Sequence, residues 1–338
     1  MKKRILNWTK PAFICLLCAV MLCEIGLTAF AESEGEVMLS NLAGQSGAYE
    51  LNPITGEFEA TMHPEFFDME PEDVPPSGIF PEEIEPRSES AVVDDREPVY
   101  YPSGTSGTTC RIAGRYGSGT YDLNKGTGWL LNKQFLLTSA HVVYRYGVGP
   151  CSHVGIYVGA SGENHYKEYR LGHVVAYSKT FEEAKNMVSY DDFKNWHEET
   201  GIFEDWAVVK LDKPVSLDYV YLGREAANGF SDVKGHTYYT QGYPQDLNSD
   251  VTYWPNAVMY KSSGTFTGPF TRQKVPVVKS TFYASHGQSG SPIYWFNANK
   301  KGWYADGILA GGYDGATCVV LINSWLLSEI NYILRSNL

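Results

Sequence analysis

Three short stretches of the sequence place a histidine, an aspartate and a serine in settings that suit nucleophilic catalysis. His141 follows the apolar run 135–138, Asp205 directly precedes the apolar run 206–211, and Ser289 lies in the glycine-rich turn 287–292. A serine hydroxyl is a weak nucleophile and needs an adjacent base. A neutral imidazole supplies such a base near neutral pH, and a buried carboxylate fixes the tautomer of that imidazole. The three stretches therefore predict a His-Asp-Ser triad that attacks carbonyl carbon.

The turn around Ser289 also predicts a site for the negative charge that such an attack creates. Glycine adopts backbone conformations that are closed to other residues, so the N–H groups of Gly287 and Ser289 can converge on one oxyanion. Each donor of this kind stabilises the transition state by about 2.7–4 kcal/mol. Ser291 is the rival nucleophile. Ser289 is preferred because it follows Gly287 by two positions, which places both donors.

Taken singly, each stretch also suits a structural role. His141 could be a core histidine, Asp205 a cap at a strand end, and 287–292 an ordinary turn. The carboxylates that compete with Asp205 are Asp191, Asp192 and Glu204, and none of them directly precedes an apolar run. The three stretches together, in the order His, Asp, Ser, favour the catalytic interpretation.

The elements that must position these residues are predicted to be strands. From about residue 92, short apolar and β-branched runs alternate with Gly, Asn and Pro, for example 128–131, 134–138, 153–158, 206–211 and 307–310. Runs of this length and spacing are typical of an all-β sandwich or barrel. The fold class is therefore predicted to be all-β.

Helical patterning is confined to the end of the chain. In 323–338, apolar residues recur at helical spacing at Leu326, Ile330, Ile333 and Leu334, which predicts an amphipathic helix capped by Asn323 or Ser324. The polar, charged stretch 181–204 is predicted to be a surface loop or short helix.

The three motifs, in this order, resemble those of the chymotrypsin-fold serine proteases, and among these trypsin-like enzymes the bacterial glutamyl-endopeptidase branch. Stretches 126–129, 242–244 and 259–264 are similar to that branch, and 90–96 is similar to its mature start. The resemblance covers residues 90 to about 325. It implies two six-stranded antiparallel β-barrels with the triad between them, followed here by the C-terminal α-helix.

This resemblance organises the chain into domains. It implies a serine protease domain over 90–338, with an N-terminal barrel at about 92–215 and a C-terminal barrel and helix at about 216–338. One residue departs from the trypsin-type enzymes, because Gln288 precedes Ser289 where they carry an aspartate that pairs with the new N-terminal amine. Activation, if the chain is processed, must therefore use another device.

Substrate selection is predicted to differ from that of the glutamyl endopeptidases. The pocket residues implied by the resemblance are Tyr283, Ala284, Leu309, Ala310 and Gly311. His286 is nearby, at a site without a match in that branch, and could contribute a charge. Leu309 takes the position of the histidine that reads an acidic side chain in that branch, and Ala284 takes the position of its hydroxyl residue. A substrate carboxylate buried beside these two side chains would be unpaired, which is costly. Cleavage after glutamate is therefore not expected to be the main activity.

Net charge separates the chain into three parts. The total of −12 argues against a nucleic-acid binder. Residues 32–89 carry fifteen acidic side chains and one basic one, whereas 90–338 is nearly neutral. Residues 1–31 join a basic start to a 13-residue apolar run and Ala29-Phe30-Ala31, which predicts a secretory signal peptide. The alternative is an uncleaved membrane anchor.

The acidic stretch 32–89 has two interpretations. It is either a flexible linker or a pro-segment that is removed after export, and its place between a signal peptide and a compact domain favours the pro-segment. A segment as polar and proline-rich as 70–76 cannot bury enough surface to order itself. An activating protease is expected to cut between Arg87 and Ser90, which leaves an extracellular enzyme.

Three cysteines lie outside the predicted leader, and their pairing stays open. Cys110 and Cys151 could form a disulfide, whereas Cys318 lies in an apolar run and is predicted to be a core thiol. Cysteine and histidine spacings typical of a structural zinc site do not occur, so no metal or cofactor is predicted.

The function predicted from the sequence is that of a secreted, monomeric serine endopeptidase made as a zymogen, with proteins or peptides as substrates. It would not bind nucleic acid, nor stay at a membrane after signal cleavage. The alternative is a catalytically silent secreted binding protein on the same fold. An α/β-hydrolase esterase is excluded, because its triad order is Ser, Asp, His and its strands alternate with helices.

Overall fold

The computed structural model describes residues 48–52, 55, 57–61, 94–116, 123–162, 165–216, 221–248, 256–269, 277–313 and 316–337. The predicted signal peptide, most of the acidic segment and the predicted cleavage region 87–90 lie outside these residues. None of the helices in the described part of the chain is both long and apolar enough to cross a membrane.

Short strands make up most of the regular secondary structure in the described residues, as the runs of β-branched and aromatic residues predict. The strands are β1 Ala48–Leu51, β2 Phe58–Thr61, β3 Glu97–Val99, β4 Thr109–Arg115, β5 Leu123–Leu130, β6 Phe135–Thr138, β7 Tyr144–Arg145, β8 Gly149–Pro150, β9 His153–Val158, β10 Glu168–Ser178, β11 Ala207–Leu211, β12 Gly223–Arg224, β13 Tyr238–Gly242, β14 Met259–Gly264, β15 Phe266–Pro269, β16 Val277–Ser280, β17 Pro292–Asn297, β18 Gly302–Tyr313 and β19 Ala316–Leu321. The helices are α1 Ala140–Val143, α2 Tyr190–Glu199, α3 Phe230–Val233 and α4 Ser324–Ser336, with 3-10 turns at Gly104–Thr108, Lys179–Asn186, Gly201–Glu204 and Asp246–Asn248.

The first sheet closes into a six-stranded barrel. Its strands follow the order β11-β6-β5-β4-β9-β10, and β10 pairs back onto β11. Side chains of β9 largely alternate between the surface and the interior, as a strand with one buried face requires. The interior is apolar and includes Ile112, Leu136, Val154, Ile156 and Val209.

The second sheet follows the order β15-β16-β19-β18-β17-β13-β14-β3. Only Thr265 separates β14 from β15, so these two strands are one nearly continuous segment of the chain. β15 pairs at one end of the row β16-β19-β18-β17-β13, and β14 pairs at the other end. β3 pairs with β14, with Val99 opposite Met259. Glu97–Val99 therefore lies on the second sheet, although it falls within the segment predicted for the N-terminal barrel. The prediction of an all-β, two-barrel fold is confirmed.

Part of the acidic stretch adds a hairpin to the first sheet. β1 and β2 pair with each other, and β1 pairs with β10, with Ala48 opposite Ser178. Tyr49 stacks on Tyr177, with ring centroids 5.7 Å apart, and Ala48 is fully buried. The sequence gives little sign of this hairpin, because its apolar residues gain burial only against β10. Residues 70–76, for which disorder is predicted, lie outside the described residues.

The C-terminal helix forms as predicted and packs on the core. Asn323 is the cap, because its side chain accepts a hydrogen bond from the backbone N–H of Leu326 at 2.8 Å. Ile330 and Ile333 are fully buried in the same apolar cluster as Trp206. Burying each such side chain stabilises the fold by about 1.5–3 kcal/mol.

Cys110, Cys151 and Cys318 are all buried, and none of the three is in a disulfide bond. The suggested bridge between Cys110 and Cys151 does not form in this structure. The Cys151 sulfur packs beside Gly114 on β4, and Cys110 lies four residues earlier on that strand, about 13 Å away at 3.3 Å per residue. A disulfide needs Cα atoms within about 7 Å. Cys110 is fully buried in the apolar cluster of the first barrel, and this burial raises the pKa of its thiol.

Candidate active site

His141 lies on α1, the short helix that follows β6 of the first barrel. Ala140, Val142 and Val143 around it are buried in that barrel's apolar cluster, which fixes the position of the short helix. The Ser139 hydroxyl donates to the Leu309 carbonyl oxygen at 3.0 Å. The residue that starts α1 is thus tied to β18 of the second sheet, and His141 lies where the two sheets meet.

Asp205 lies beside His141 and is completely buried. Its Oδ2 atom is 2.6 Å from His141 Nδ1, and its Oδ1 atom accepts the His141 backbone N–H at 3.0 Å. The carboxylate has 0% exposure, whereas 23% of the His141 side chain is exposed. The two contacts hold one tautomer of the ring, with its proton on Nδ1 and Nε2 free to act as a base.

The charge state of Asp205 follows from its surroundings. Burial by itself would raise the pKa of this carboxyl, because it disfavours the charged form. The attraction of His141 and the hydrogen bonds from His141 and His197 outweigh burial and hold the pKa of Asp205 well below its ordinary value. The side chain is therefore a carboxylate over the whole neutral range and can stabilise an imidazolium.

The competing carboxylates are placed elsewhere. Glu204 accepts hydrogen bonds from the hydroxyls of Ser178 and Thr180 at 2.9 and 2.7 Å. Asp191 and Asp192 are exposed on the first turn of α2. Of the four carboxylates considered from the sequence, the structure brings Asp205 to the histidine.

His197 completes this cluster, and the sequence analysis did not identify it. Its Nε2 atom is 3.1 Å from Asp205 Oδ2, and its ring meets that of His141 edge-on at a centroid distance of 5.0 Å. His197 lies on α2, in the stretch 181–204 predicted to be a surface loop or short helix. Phe193 and Phe181 hold the ring from two sides. The signal in the sequence is the spacing of Phe193, Trp196 and His197 at i, i+3 and i+4, which places them on one helix face.

We expect His197→Ala to lower kcat about tenfold and to leave KM nearly unchanged. The change removes a donor to a buried charged acceptor, and such a hydrogen bond contributes about 1.5–3 kcal/mol. His197→Gln keeps a donor and should recover much of the loss. Steady-state kinetics on a peptide ester measures both effects.

The chain offers a matched control for this pair of variants. His173 makes a similar contact with Asp212, at 3.2 Å, but on the protein surface. His173→Ala should leave kcat unchanged. A His197→Ala enzyme with wild-type kcat would show that Asp205 is held in place without His197.

Ser289 lies in a tight turn that only glycines allow. Gly287 and Gly290 on either side have φ values of +89° and +88°, a region that favours glycine. A Cβ atom at Gly287 would overlap the Tyr243 carbonyl oxygen, and one at Gly290 would overlap the Thr127 carbonyl oxygen. The turn is thus pressed against neighbouring backbone on both sides, which fixes the position of Ser289.

Contacts with β5 align this turn between the two sheets. The Thr127 hydroxyl donates to the Gly287 carbonyl oxygen at 2.8 Å, and the Thr127 N–H donates to the Ser289 carbonyl oxygen at 2.9 Å. The N–H groups of Gly287 and Ser289 donate to no acceptor within the described residues. Both N–H groups can therefore donate to another acceptor, and the sequence predicts that this acceptor is an oxyanion.

The two candidate nucleophiles differ in their contacts. The Ser291 hydroxyl is fully buried and donates to the Gln288 carbonyl oxygen at 2.6 Å. Ser289 is 9% exposed, and its hydroxyl makes no hydrogen bond to any described residue, His141 included. Catalytic hydrogen bonds are often long in the absence of substrate, so the lack of a contact with His141 is compatible with the role that the sequence predicts for Ser289.

The residues predicted to line the substrate pocket lie in different environments. Tyr283 and His286 are exposed, and Ala284 and Gly311 are partly buried. Leu309 and Ala310 are each 1% exposed, and Leu309 packs in the core of the second sheet with Phe282 and Val319. The Leu309 carbonyl oxygen accepts the Gly290 N–H at 2.8 Å. Leu309 thus supports the turn that carries Ser289 through its backbone.

Arg96, which directly precedes β3, contacts the loop before Ser289. Its guanidinium binds Asp94 and Asp246 through pairs of hydrogen bonds of 2.7–2.9 Å and lies over the Tyr283 ring at 4.6 Å. The hydrogen bond from Arg96 lowers the pKa of Asp246 to about 2. Asp246 in turn accepts the Ser285 hydroxyl. Residues near the predicted mature start therefore brace the loop 283–288.

The chain is similar to known proteins in sequence and in structure. A trypsin-like peptidase domain matches residues 126–300, which include His141, Asp205 and Ser289. Similar solved structures are a Glu endopeptidase in complex with MPD (19% identity, 72% of this chain and 97% of that chain, TM-score 0.51), the protease Anisep from Arthrobacter nicotinovorans (15%, 71% and 99%, 0.48) and the thermostable serine protease AL20 from an extremophilic microorganism (12%, 69% and 98%, 0.46). No curated protein matches the chain.

The matched residues span more than half of the chain, so the chain belongs to the family of trypsin-like peptidase domains. Its class is that of the serine endopeptidases. The likeness to the Glu endopeptidase structure shows the chymotrypsin-type two-barrel fold.

Proposed function

We propose that this chain is a secreted serine endopeptidase, made as a zymogen, that hydrolyses peptide bonds through His141, Asp205 and Ser289. The observation that carries the proposal is the contact of 2.6 Å between His141 Nδ1 and the fully buried carboxylate of Asp205. A buried carboxylate paired with a partly exposed imidazole orients a base toward solvent and substrate. The free hydroxyl in the neighbouring glycine turn supplies the nucleophile.

The mechanism follows from these roles. His141 Nε2 takes the proton of the Ser289 hydroxyl as its oxygen attacks the peptide carbonyl carbon. Asp205 stabilises the imidazolium, and the N–H groups of Gly287 and Ser289 stabilise the oxyanion. His141 then gives its proton to the leaving amine, and an acyl-enzyme on Ser289 remains. Water, activated by the same imidazole, releases the acyl group and restores the hydroxyl.

The proposal that the chain is made as a zymogen rests on the negative charge of residues 32–89 and on two sets of contacts, those of the hairpin of β1 and β2 and those of Arg96. The acidic stretch 32–89 would be removed by a protease that cuts between Arg87 and Ser90, in the extracellular space. Its described hairpin lies on the edge of β10, which favours support of the first barrel over a block of the cleft. Arg96 joins the residues just after the cleavage region to the loop of Ser289.

Specificity is expected to exclude acidic side chains as the main preference. Leu309 and Ala284 offer no charge or donor at the positions where glutamyl endopeptidases read a carboxylate, and Arg96 is already paired with two aspartates. A peptide library digested with the purified, secreted enzyme tests this expectation, and N-terminal sequencing of the same sample tests the processing.

Three outcomes of these experiments would support the proposal. They are hydrolysis of the library, a mature start between residues 87 and 90, and little cleavage after glutamate. Strong selection for glutamate would contradict the expected specificity. A secreted form that still begins near residue 32 would contradict the proposal that the chain is made as a zymogen. A correctly folded chain that hydrolyses no peptide would favour the binding-protein alternative.

A further inference from the structure

We propose that His141, His197 and Asp205 form an inhibitory site for a divalent transition-metal ion such as Zn²⁺. The inference rests on the proposed function for its inhibitory effect, but metal binding itself is independent of catalysis. Two imidazoles and one carboxylate are a set of protein ligands that Zn²⁺ accepts, with water in the fourth position.

The ligand atoms already converge on one point. One nitrogen or oxygen of each residue lies within 4.8 Å of the others, and Asp205 Oδ2 is 2.6 Å from His141 Nδ1 and 3.1 Å from His197 Nε2. Bonds of about 2.0–2.2 Å in a tetrahedron separate ligand atoms by about 3.3–3.6 Å. The cluster reaches this spacing if the pair His141–Asp205 opens slightly and the two rings approach each other.

Two of the three ligands are partly exposed to solvent. Asp205 is fully buried, but the side chains of His141 and His197 are 23% and 14% exposed. α2, which carries His197, has no fully buried side chain. A small movement of this helix is therefore enough to adjust His197.

Binding at this point stops the proposed reaction through the tautomer of His141. The ion takes the lone pair of Nδ1, so the ring proton must reside on Nε2 if the ring stays neutral. The proton on His197 Nε2 likewise moves to Nδ1 through solvent. No proton is released from two neutral rings and no electron is transferred. His141 Nε2–H cannot accept the proton of Ser289, so the nucleophile loses its base.

The ligand set selects the ion. Imidazole suits Zn²⁺, Cu²⁺ and Ni²⁺, whereas Ca²⁺ and Mg²⁺ prefer oxygen ligands. Zn²⁺ should therefore bind and inhibit at concentrations at which Ca²⁺ and Mg²⁺ do neither. A chelator should restore activity fully, because coordination breaks no covalent bond.

Isothermal titration calorimetry with ZnCl₂ tests the site directly. The protein is the processed Ser289→Ala variant, which keeps all three ligands and cannot digest itself. We expect one Zn²⁺ per chain. Adding His197→Gln should weaken this binding at least about tenfold, since even residues behind the ligands contribute about 10–100-fold to metal affinity. Adding His173→Gln instead, at the exposed pair with Asp212, should change nothing.

Inhibition assays on the enzyme with Ser289 intact complete the test. Each variant is compared with its own zinc-free rate, and the His197→Gln enzyme should need at least about ten times more Zn²⁺ for half-inhibition. Thermal unfolding checks that the variants fold.

Two results would overturn the proposal. One is absence of Zn²⁺ binding to the folded Ser289→Ala variant, and the other is binding that His197→Gln leaves unchanged. Because calorimetry needs no turnover, an enzyme that proves inactive would contradict the proposed function without deciding the metal site.

Discussion

Replacing Ser289 with alanine is expected to lower kcat on the order of a million-fold, which is the loss seen when the nucleophile of a serine protease triad is removed. The Ser289 hydroxyl lies in the glycine turn and makes no hydrogen bond to any described residue, so its removal leaves the turn intact. Thermal unfolding should therefore be unchanged. Turnover of a chromogenic peptide, followed with a high enzyme concentration, measures the residual rate.

Ser291→Ala is the matched control for this prediction. Ser291 lies two residues further on, and its buried hydroxyl donates to the Gln288 carbonyl oxygen. The Gln288 carbonyl oxygen keeps a second partner, the backbone N–H of residue 291 at 3.0 Å, so losing the hydroxyl bond should cost about 0.5–1.5 kcal/mol in stability, and the acyl-enzyme chemistry remains. A Ser289→Ala enzyme that keeps its turnover while Ser291→Ala loses it would assign the nucleophile to Ser291.

The second large effect is expected from Asp205→Asn, with a loss of about 10⁴-fold in kcat. The amide has the size of the carboxylate, so the buried space stays filled. Its NH₂ group, however, can point at His141 Nδ1 and then requires an acceptor there, which leaves the ring proton on Nε2. The imidazole is then in the wrong tautomer to take a proton from Ser289. KM on the same peptide should change much less than kcat.

Asp212→Asn is the control for this change. Asp212 contacts His173 Nδ1 at 3.2 Å, so the substitution is chemically the same, but both side chains are exposed. Contacts of this kind between exposed groups contribute little. Equal effects of the two substitutions on kcat would contradict the role given to Asp205.

The residues proposed for the triad could be singled out from the sequence because the immediate neighbours of each one indicate its role. An apolar strand ends just before His141, another begins just after Asp205, and glycines flank Ser289. These signals are local, so they can be recognised without knowledge of the fold. The same is true of α4, whose apolar spacing and cap at Asn323 lie within a few residues of one another.

What could not be predicted depends on contacts between distant segments. The polar composition of 181–204 predicts a surface segment and gives no reason to single out His197. Its ring reaches Asp205 only because α2 packs against the first barrel. The hairpin of β1 and β2 exists through its pairing with β10, more than a hundred residues later in the chain. Arg96 is charged and close to the predicted mature start, yet its partner Asp246 lies 150 residues away.

The separation of Cys110 and Cys151 is a further case of this kind. The bridge is suggested by the number of cysteines and by the predicted oxidising compartment, neither of which gives the distance between the two residues. The register of the strands decides the matter, since Cys151 packs beside Gly114 and not beside Cys110. Side-chain positions set by register cannot be read from composition or from the number of cysteines.

The most direct test of the central claim is to identify the residue that reacts with a fluorophosphonate probe. The probe phosphonylates a serine whose hydroxyl is activated by a neighbouring base, and mass spectrometry of the digested protein locates the added group. The proposed mechanism predicts a single modification on Ser289, which His141→Ala abolishes and Ser291→Ala retains. Modification of another residue, or none in the folded, processed enzyme, would contradict it.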